Sequence, residues 1–282
     1  MLRNYYFLVS GLTDLVLGDE KTGASFSVFM DEISELIHPS DLQLLQYIRL
    51  PFDNLNLITV LLGKNREFDL RGNYSRDDLV DAIKNPDVLP AYMQTFLEMQ
   101  KENKQLVPGL VAEDQLSWLF YDEIAEHKNV FVRSWFEFDK NLRNVIAGIN
   151  CRKELAHIKA LASERESALA SVVIGNDEVA EAVLRSNAAD FGLSGILPWV
   201  EKLIHHSQGS LQNFEREIDL LRWEFLNEIT VFSYFGIESI LVFTLKLLIV
   251  ERWKMLDPQK GRERLEMLVE ELKAGFSMPV GF

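Results

Sequence analysis

Residues 235–272 (FGIESILVFTLKLLIVERWKMLDPQKGRERLEMLVEEL) place the strongest constraint on how this chain can fold. The first half of this segment has apolar residues at helical spacing along one face, with further leucines on both flanks. A helix that is apolar nearly all round must be buried. We therefore expect a central helix whose buried face carries Ile240, Phe243, Leu247 and Val250.

Two charged residues decide whether lipid or protein buries this helix. Residues 229–250 are long enough to cross a bilayer, but Glu238 and Lys246 lie within them. Charges at that depth would cost several kcal/mol in hydrocarbon. We therefore expect no membrane span and a helix buried by protein. Asp257 is expected to cap, and Pro258 to begin, a second, amphipathic helix.

The composition excludes several classes of protein. The 29 lysines and arginines face 43 aspartates and glutamates, which gives a net charge of −14. Such an acidic surface repels nucleic acid and anionic lipid. The single cysteine, Cys151, excludes an internal disulfide framework and fits a reducing cytosol. Because residues 1–12 lack the features of an export signal, we expect a cytoplasmic protein.

From residue 26 onward the apolar residues follow helical spacing, so the predicted fold class is all-α, an elongated, funnel-like and pseudo-repeated array of helical bundles. Residues 5–10 (YYFLVS) fit either a short N-terminal strand or a helical entry, and their periodicity does not separate the two. The polar run at 101–105 with Pro108 and Gly109 is the clearest linker. We predict three sub-bundles, residues 1–109, 110–198 and 199–282.

Two segments share a pattern that is typical of a helix start. In FDNLNLITVLLGK, Asp53 is a candidate N-cap, and Phe52 before it can pack against Leu57 as a hydrophobic staple. FDKNLRNVIAGI repeats the pattern with one residue inserted. Two copies of such a pattern predict related helical units. The paired residues are Phe52, Asp53 and Asn54 in the first copy, and Phe138, Asp139 and Asn141 in the second.

Glu154 and His157 have the Glu-x-x-His spacing that places two metal ligands on one helix face in di-iron bundles. Such a site needs a second copy of the motif and two further glutamates, and the sequence has no second copy. A solvated helix face explains the pair more simply. Cys151 lies about 9 Å from His157 along a helix axis, too far for proton transfer.

The sequence also lacks the motifs of the common catalytic sites. It has no phosphate-binding loop, no dinucleotide-binding glycine pattern, no esterase nucleophile elbow and no His-Glu-x-x-His. We therefore predict no catalytic residue, no cofactor and no metal site.

The segment 235–272 resembles the C-terminal helices of the C subunit (the d subunit in eukaryotic nomenclature) of V-type and archaeal-type rotary ATPases. FDNLNLITVLLGK and FDKNLRNVIAGI resemble recurring helix starts of that family, and residues 75–83 resemble the short capped helix after the first unit. The N-terminal NYYFLVSGLTDLVLGDE departs from the family's basic, helical opening. The chain is also similar to an uncharacterised bacterial group associated with V-type ATPases.

The resemblance implies a non-catalytic adaptor in an ion-transporting, and hence proton- or sodium-transporting, complex. In that family the protein is a funnel of three similar bundles, which sits on the cytoplasmic face of the proteolipid ring and holds the central stalk. The expected partners are the stalk subunits and the ring, with one copy per complex at the inner face of the membrane. Two alternatives stay open: a metal- or ligand-binding helical enzyme using Glu154 and His157, and a generic helical scaffold.

Overall fold

The computed structural model describes residues 3–18, 25–158, 162–231 and 234–255, with side chains at 3–18, 25–156, 164–231 and 234–255. Within these ranges the chain forms helices and no strand, which confirms the predicted all-α class. A short 3₁₀ turn, Pro86–Val88, lies between the fourth and fifth helices. The α-helices are α1 Tyr6–Ser10, α2 Phe26–Ser34, α3 Pro39–Leu61, α4 Arg76–Lys84, α5 Ala91–Lys101, α6 Ala112–Ala125, α7 Val130–Ile158, α8 Ala162–Ala170, α9 Glu178–Arg185, α10 Trp199–Ser207, α11 Leu211–Ile229 and α12 Ile237–Met255.

The N-terminal segment is a short helix, so of the two alternatives left open by its sequence the structure has the helical one and not the strand. None of the five residues of α1 is buried. The backbone N–H of Tyr5 donates to the carbonyl oxygen of Phe235 at 2.7 Å, and the Tyr5 hydroxyl donates to Asp41 at 2.5 Å. Among the described residues no strand lies beside the segment to pair with it. A helical turn satisfies its backbone instead.

The predicted helix starts at Phe52 and Phe138 are wrong, because both segments lie inside long helices. Helix α3 begins at Pro39, with His38 as its N-cap, and continues through Pro51 to Leu61. Phe52, Asp53 and Asn54 are therefore interior residues of α3, and Phe138, Asp139 and Asn141 are interior residues of α7. Proline normally disturbs a helix interior, but here the apolar stripe on both sides of it is buried in one core.

The N-terminus of α4 is closed by a capping box, for which Ser75 and Asp78 have the required spacing. The Ser75 hydroxyl accepts a hydrogen bond from the Asp78 backbone N–H at 3.1 Å, and the Asp78 carboxylate accepts one from the Ser75 backbone N–H at 2.9 Å. Two backbone donors of the first turn are satisfied in this way. Asp177 caps α9 similarly, by accepting from the Ala180 backbone N–H at 3.0 Å.

Helix α12 lies against α2, α3 and α11, and its central face is buried. Ile240 and Leu247 are completely buried, and Phe243 and Val250 nearly so. Lys246 reaches the edge of the contact, where its ammonium donates to the Asn227 side chain at 2.6 Å. No helix within the described ranges combines the length and apolarity that a membrane span requires. Asp257 and Pro258, the predicted start of the next helix, lie outside the described residues.

The order of helix packing is repeated along the chain. In the first unit the long helix α3 packs against the short helix α4 and against α6, while α5 packs against α6. In the second unit the long helix α7 packs against the short helix α9 and against α11, while α10 packs against α11. Helix α8 is an addition within the second unit. The last helix of each unit also packs against the long helix that follows it in the chain, α6 against α7 and α11 against α12.

The two units share one buried core. Buried apolar side chains form a cluster that extends from Phe26 in α2 to Ile249 in α12. Helices also pack across both predicted boundaries, α5 against α6 at residue 109 and α7 against α10 at residue 198. The division into sub-bundles 1–109, 110–198 and 199–282 stays a prediction.

Gly148 permits the close approach of α7 to the second short helix. A Cβ at this position would lie 2.6 Å from Cγ1 of Val183 and 2.9 Å from Cζ of Phe191. We expect Gly148→Ala to lower the free energy of unfolding by about 1–2 kcal/mol, because overpacking outweighs the gain in helix propensity. Urea unfolding followed by circular dichroism measures the change.

The matched control for this prediction is Gly195→Ala, since a Cβ there meets no atom within 4 Å. A Gly148→Ala variant as stable as that control would contradict the close packing of α7 on α9.

Candidate functional site

Each of the two units fixes a loop with an asparagine from its long helix. The Asn56 side chain in α3 accepts from the Asp69 backbone N–H at 2.8 Å and donates to the Asp69 carbonyl oxygen at 2.8 Å. The Asn144 side chain in α7 makes the same pair of bonds to Ile174, at 3.0 Å and 2.7 Å. In both units the bonded residue precedes the short capped helix. The units therefore repeat this side-chain contact as well as their packing order.

Asp53 is completely buried beside the first of these loops. Its Oδ1 accepts from the backbone N–H groups of Asn73 and Tyr74 at 2.7 Å and 3.2 Å, and its Oδ2 accepts from Asn73 Nδ2 at 2.7 Å. A Cβ at Gly72 would collide with Asp53 Oδ1, so the loop requires a glycine there. Asp53 therefore anchors the loop to α3 instead of capping its own helix.

Burial raises the pKa of Asp53 above its ordinary value, although the hydrogen bonds from Asn73 and Tyr74 act in the opposite direction. The Arg49 guanidinium lies one turn away and donates to the carbonyl oxygens of Arg71 and Gly72. Its charge also opposes the rise in pKa. The carboxylate is thus held among backbone donors and has no free substrate-facing oxygen.

Asp139, the second predicted aspartate, joins three helices. Its carboxylate accepts from the Tyr121 hydroxyl of α6 at 2.9 Å and from the Arg222 guanidinium of α11 at 3.2 Å. Burial, and next the negative charge of Asp139, raise the pKa of Tyr121 well above its ordinary value. Tyr121 is therefore a neutral hydrogen-bond donor, and Asp139 links α7 to both of its neighbours.

The contacts of Arg222 continue into a larger group on α11 and α12, here called the Asp219 network. Arg222 also donates to Asp219 at 3.1 Å. The other oxygen of Asp219 accepts from the Arg252 guanidinium and, at 2.7 Å, from the Trp253 indole N–H. Arg252 donates further to Glu215 at 2.9 Å. The members of the network are Tyr121, Asp139, Glu215, Asp219, Arg222, Arg252 and Trp253.

Both arginines of the Asp219 network remain charged. Burial would lower the pKa of Arg222, but the carboxylates of Asp139 and Asp219 outweigh it and raise the pKa above its ordinary value. For Arg252, burial again acts downward on the pKa and is outweighed by Asp219 and Glu215. Arginines held as cations are not general bases. The network fixes the relative positions of α6, α7, α11 and α12.

The Asp219 network was not predicted from the sequence. Asp219 and Arg222 are separated by one helical turn, but such a pair is ordinary on an exposed helix face. The usable signal is that Asp219 lies between Ile218 and Leu221, within the apolar stripe of α11. A charged residue at such a position needs a partner from another helix. Arg252, at the end of the apolar α12, is that partner.

The candidate metal ligands of the alternative hypothesis, Glu154 and His157, are described only in part. Glu154 is exposed on α7, whereas the side chain of His157 lies outside the described residues. Cys151 is buried nearby, and burial raises the pKa of its thiol. Among the side chains that the structure describes, no three His, Cys, Asp or Glu residues come together at a distance suited to a metal ion. The absence of a metal site stays a prediction, and a site at Glu154 and His157 stays the alternative to it.

The fold and the buried contacts define a class: an all-α protein of two similarly packed helical units joined by a charged network. Residues 2–276 match the family described as "Protein of unknown function (DUF2764)", so the chain belongs to that family. The comparisons with curated proteins and with solved structures give no match. Because the family match covers nearly the whole chain, both helical units lie within it.

Replacing Asp219 tests the Asp219 network. The carboxylate is 1% exposed and bonds both arginines, so Asp219→Ala leaves two guanidinium groups without their buried partner. We expect the free energy of unfolding to fall by about 3 kcal/mol. Glu215→Ala is the matched control, because Glu215 contacts the same Arg252 but is 38% exposed. Its loss should be at most about 1 kcal/mol, and equal losses in the two variants would contradict the assignment.

The raised pKa of Asp53 predicts a pH dependence. Between the ordinary and the raised pKa the folded chain holds a proton that the unfolded chain lacks, so the free energy of unfolding falls as pH rises through this window. We expect this fall to be absent in Asp53→Asn, whose amide oxygen can still accept from the Asn73 and Tyr74 backbones. Urea unfolding from about pH 4 to pH 7 measures the difference in slope.

The control for this measurement is Asp87→Asn, which changes an exposed carboxylate of the same type. If Asp53→Asn and the parent chain keep the same pH profile, the carboxylate does not titrate in its buried position as described.

Proposed function

We propose that this protein is a non-catalytic adaptor of a V/A-type rotary ATPase, which couples the central stalk to the membrane proteolipid ring. The observation that carries the proposal is the repeated helical unit, with its asparagine-fixed loop, joined to its neighbour by the Asp219 network. The rotary-ATPase family that the sequence resembles is likewise built from similar helical bundles. A repeated helical array is suited to contacting large partners over an extended surface.

The properties of the buried polar groups support a mechanical role over a chemical one. Asp53, Asp139 and Asp219 each accept hydrogen bonds from side chains or backbone of neighbouring elements, and so hold those elements in place. A protein that transmits torque must resist displacement of one bundle against another. A charged network with several bonds between helices resists such displacement, because moving one helix leaves buried charges unpaired.

The proposal predicts that the chain purifies with a rotary ATPase. An affinity tag on the chain, expressed at its natural level, should recover the nucleotide-binding, stalk and proteolipid subunits from membranes dissolved in mild detergent. Quantitative mass spectrometry should give about one copy of the chain per stalk. Deletion of the gene should leave ATP hydrolysis uncoupled from ion transport, because the stalk would lose its connection to the ring.

The reciprocal purification is the stricter test. If a tag on the nucleotide-binding subunit recovers an intact, ion-transporting complex that lacks this chain, the proposal fails. An untagged strain processed in parallel controls for nonspecific recovery.

A further inference from the structure

An open groove lies between α1, α2 and α12, with a volume of about 1080 Å³. Its floor is formed by Phe29 and Ile33 of α2 and by Phe243 of α12, all of them buried. The rings of Phe29 and Phe243 contact each other with centroids 4.7 Å apart. The groove is therefore built on the helix that the whole core surrounds, and its floor is part of that core.

The walls of the groove are apolar and exposed. Phe7 of α1 is 90% exposed, Val28 of α2 is 54% exposed, and Leu36, just after α2, is 55% exposed. Single exposed apolar residues are normal on a protein surface, but a contiguous apolar set around a groove is typical of an interaction site. A bound helix that covered these side chains would remove a large apolar area from water.

The charged residues of the groove are all of one sign. Among the described residues, Asp14 and Glu32 line it, and no lysine or arginine does. Glu32 lies one turn after Val28 on the same face of α2, so an acidic group stands directly beside the apolar wall. Asp31 and Glu35, both exposed, add negative charge to the same stretch of chain.

We propose that this groove binds a cationic amphipathic helix of a partner protein. The apolar face of that helix would cover Phe7, Val28 and Leu36, in the way that amphipathic helices bind apolar grooves. Its lysines and arginines would lie against Asp14 and Glu32, which favours this partner over an acidic one. The same acidic rim, on a chain of net charge −14, repels an anionic membrane surface.

This inference goes beyond the proposed adaptor function, because it rests on the groove alone and names the chemistry of the partner. The two can fail separately. If the designed peptide does not bind, the ATPase subunits can still purify with the chain. If they do not, the peptide can still bind the groove.

A pair of designed helical peptides tests the proposal on the full-length chain. Both peptides have about 18 residues, or five turns, with the same leucine and phenylalanine stripe. One has lysines on its polar face and the other has glutamates. Fluorescence anisotropy at low salt should show the lysine peptide binding at least about tenfold more tightly than the glutamate peptide. Equal binding of the two peptides, or no binding of the lysine peptide, would overturn the proposal.

Matched variants locate the binding. Leu36→Ser should weaken binding of the lysine peptide at least about fivefold, whereas Leu211→Ser, which changes an even more exposed leucine outside the groove, should not. Glu32→Lys should weaken it as well, and more strongly at low salt than at high salt, while the exposed Glu126→Lys should not. Equal effects of groove and control variants would place the binding elsewhere and overturn the proposal.

Photo-crosslinking distinguishes a bound partner helix from another segment of the chain or a second copy of it. With benzoylphenylalanine at position 28, irradiation should join the chain to the lysine peptide. A crosslink to the chain's own residues 256–282, or to a second copy of the chain, formed in preference to the peptide would show that another segment fills the groove, and would overturn the proposal. Binding to phosphatidylglycerol vesicles that competes with the peptide would assign the groove to a membrane surface, with the same consequence.

Discussion

One buried carboxylate, that of Asp219, determines how the apolar helix α12 meets the rest of the molecule. Apolar packing between α12 and its neighbours is strong but weakly directional, since leucine and isoleucine side chains can repack at similar cost. Asp219 adds direction, because its oxygens bond Arg222 on its own helix and both Arg252 and Trp253 on α12. Any rotation of α12 about its axis would separate these groups. The apolar core supplies most of the stability, and the Asp219 network selects one arrangement.

Within each helical unit, too, apolar packing is combined with a few directional polar bonds. In each unit one asparagine of the long helix bonds both backbone groups of a single loop residue, Asp69 in the first and Ile174 in the second. The loop is then held at the position from which the short helix starts. Since the asparagine bonds only backbone groups, the side chain of the bonded residue can differ between the units, as Asp69 and Ile174 do.

The sequence predicted the helical class and the burial of α12, because both follow from apolar spacing that is local and strong. It predicted the wrong roles for Phe52–Asn54 and for their counterparts near Phe138. Aspartate is a good N-cap in isolation, and only the distant Asn73 shows why Asp53 is needed inside α3. The pairing of Asp219 with Arg252 spans two helices and could not be inferred from spacing within either one. The two copies of the motif also differ in their contacts, because Asp53 binds a loop whereas Asp139 binds side chains of α6 and α11, and neither set of partners is local in sequence.

The position of α12 along the chain also bears on how the protein is synthesised. Among the described helices its packing partners α2, α3 and α11 all precede it, so they leave the ribosome before this apolar helix appears. Domains fold in the order in which their segments emerge, and exposed apolar segments are the ones that aggregate. Because the surfaces of α2, α3 and α11 that receive α12 are already synthesised when it emerges, the interval during which it meets only water and other nascent chains is short.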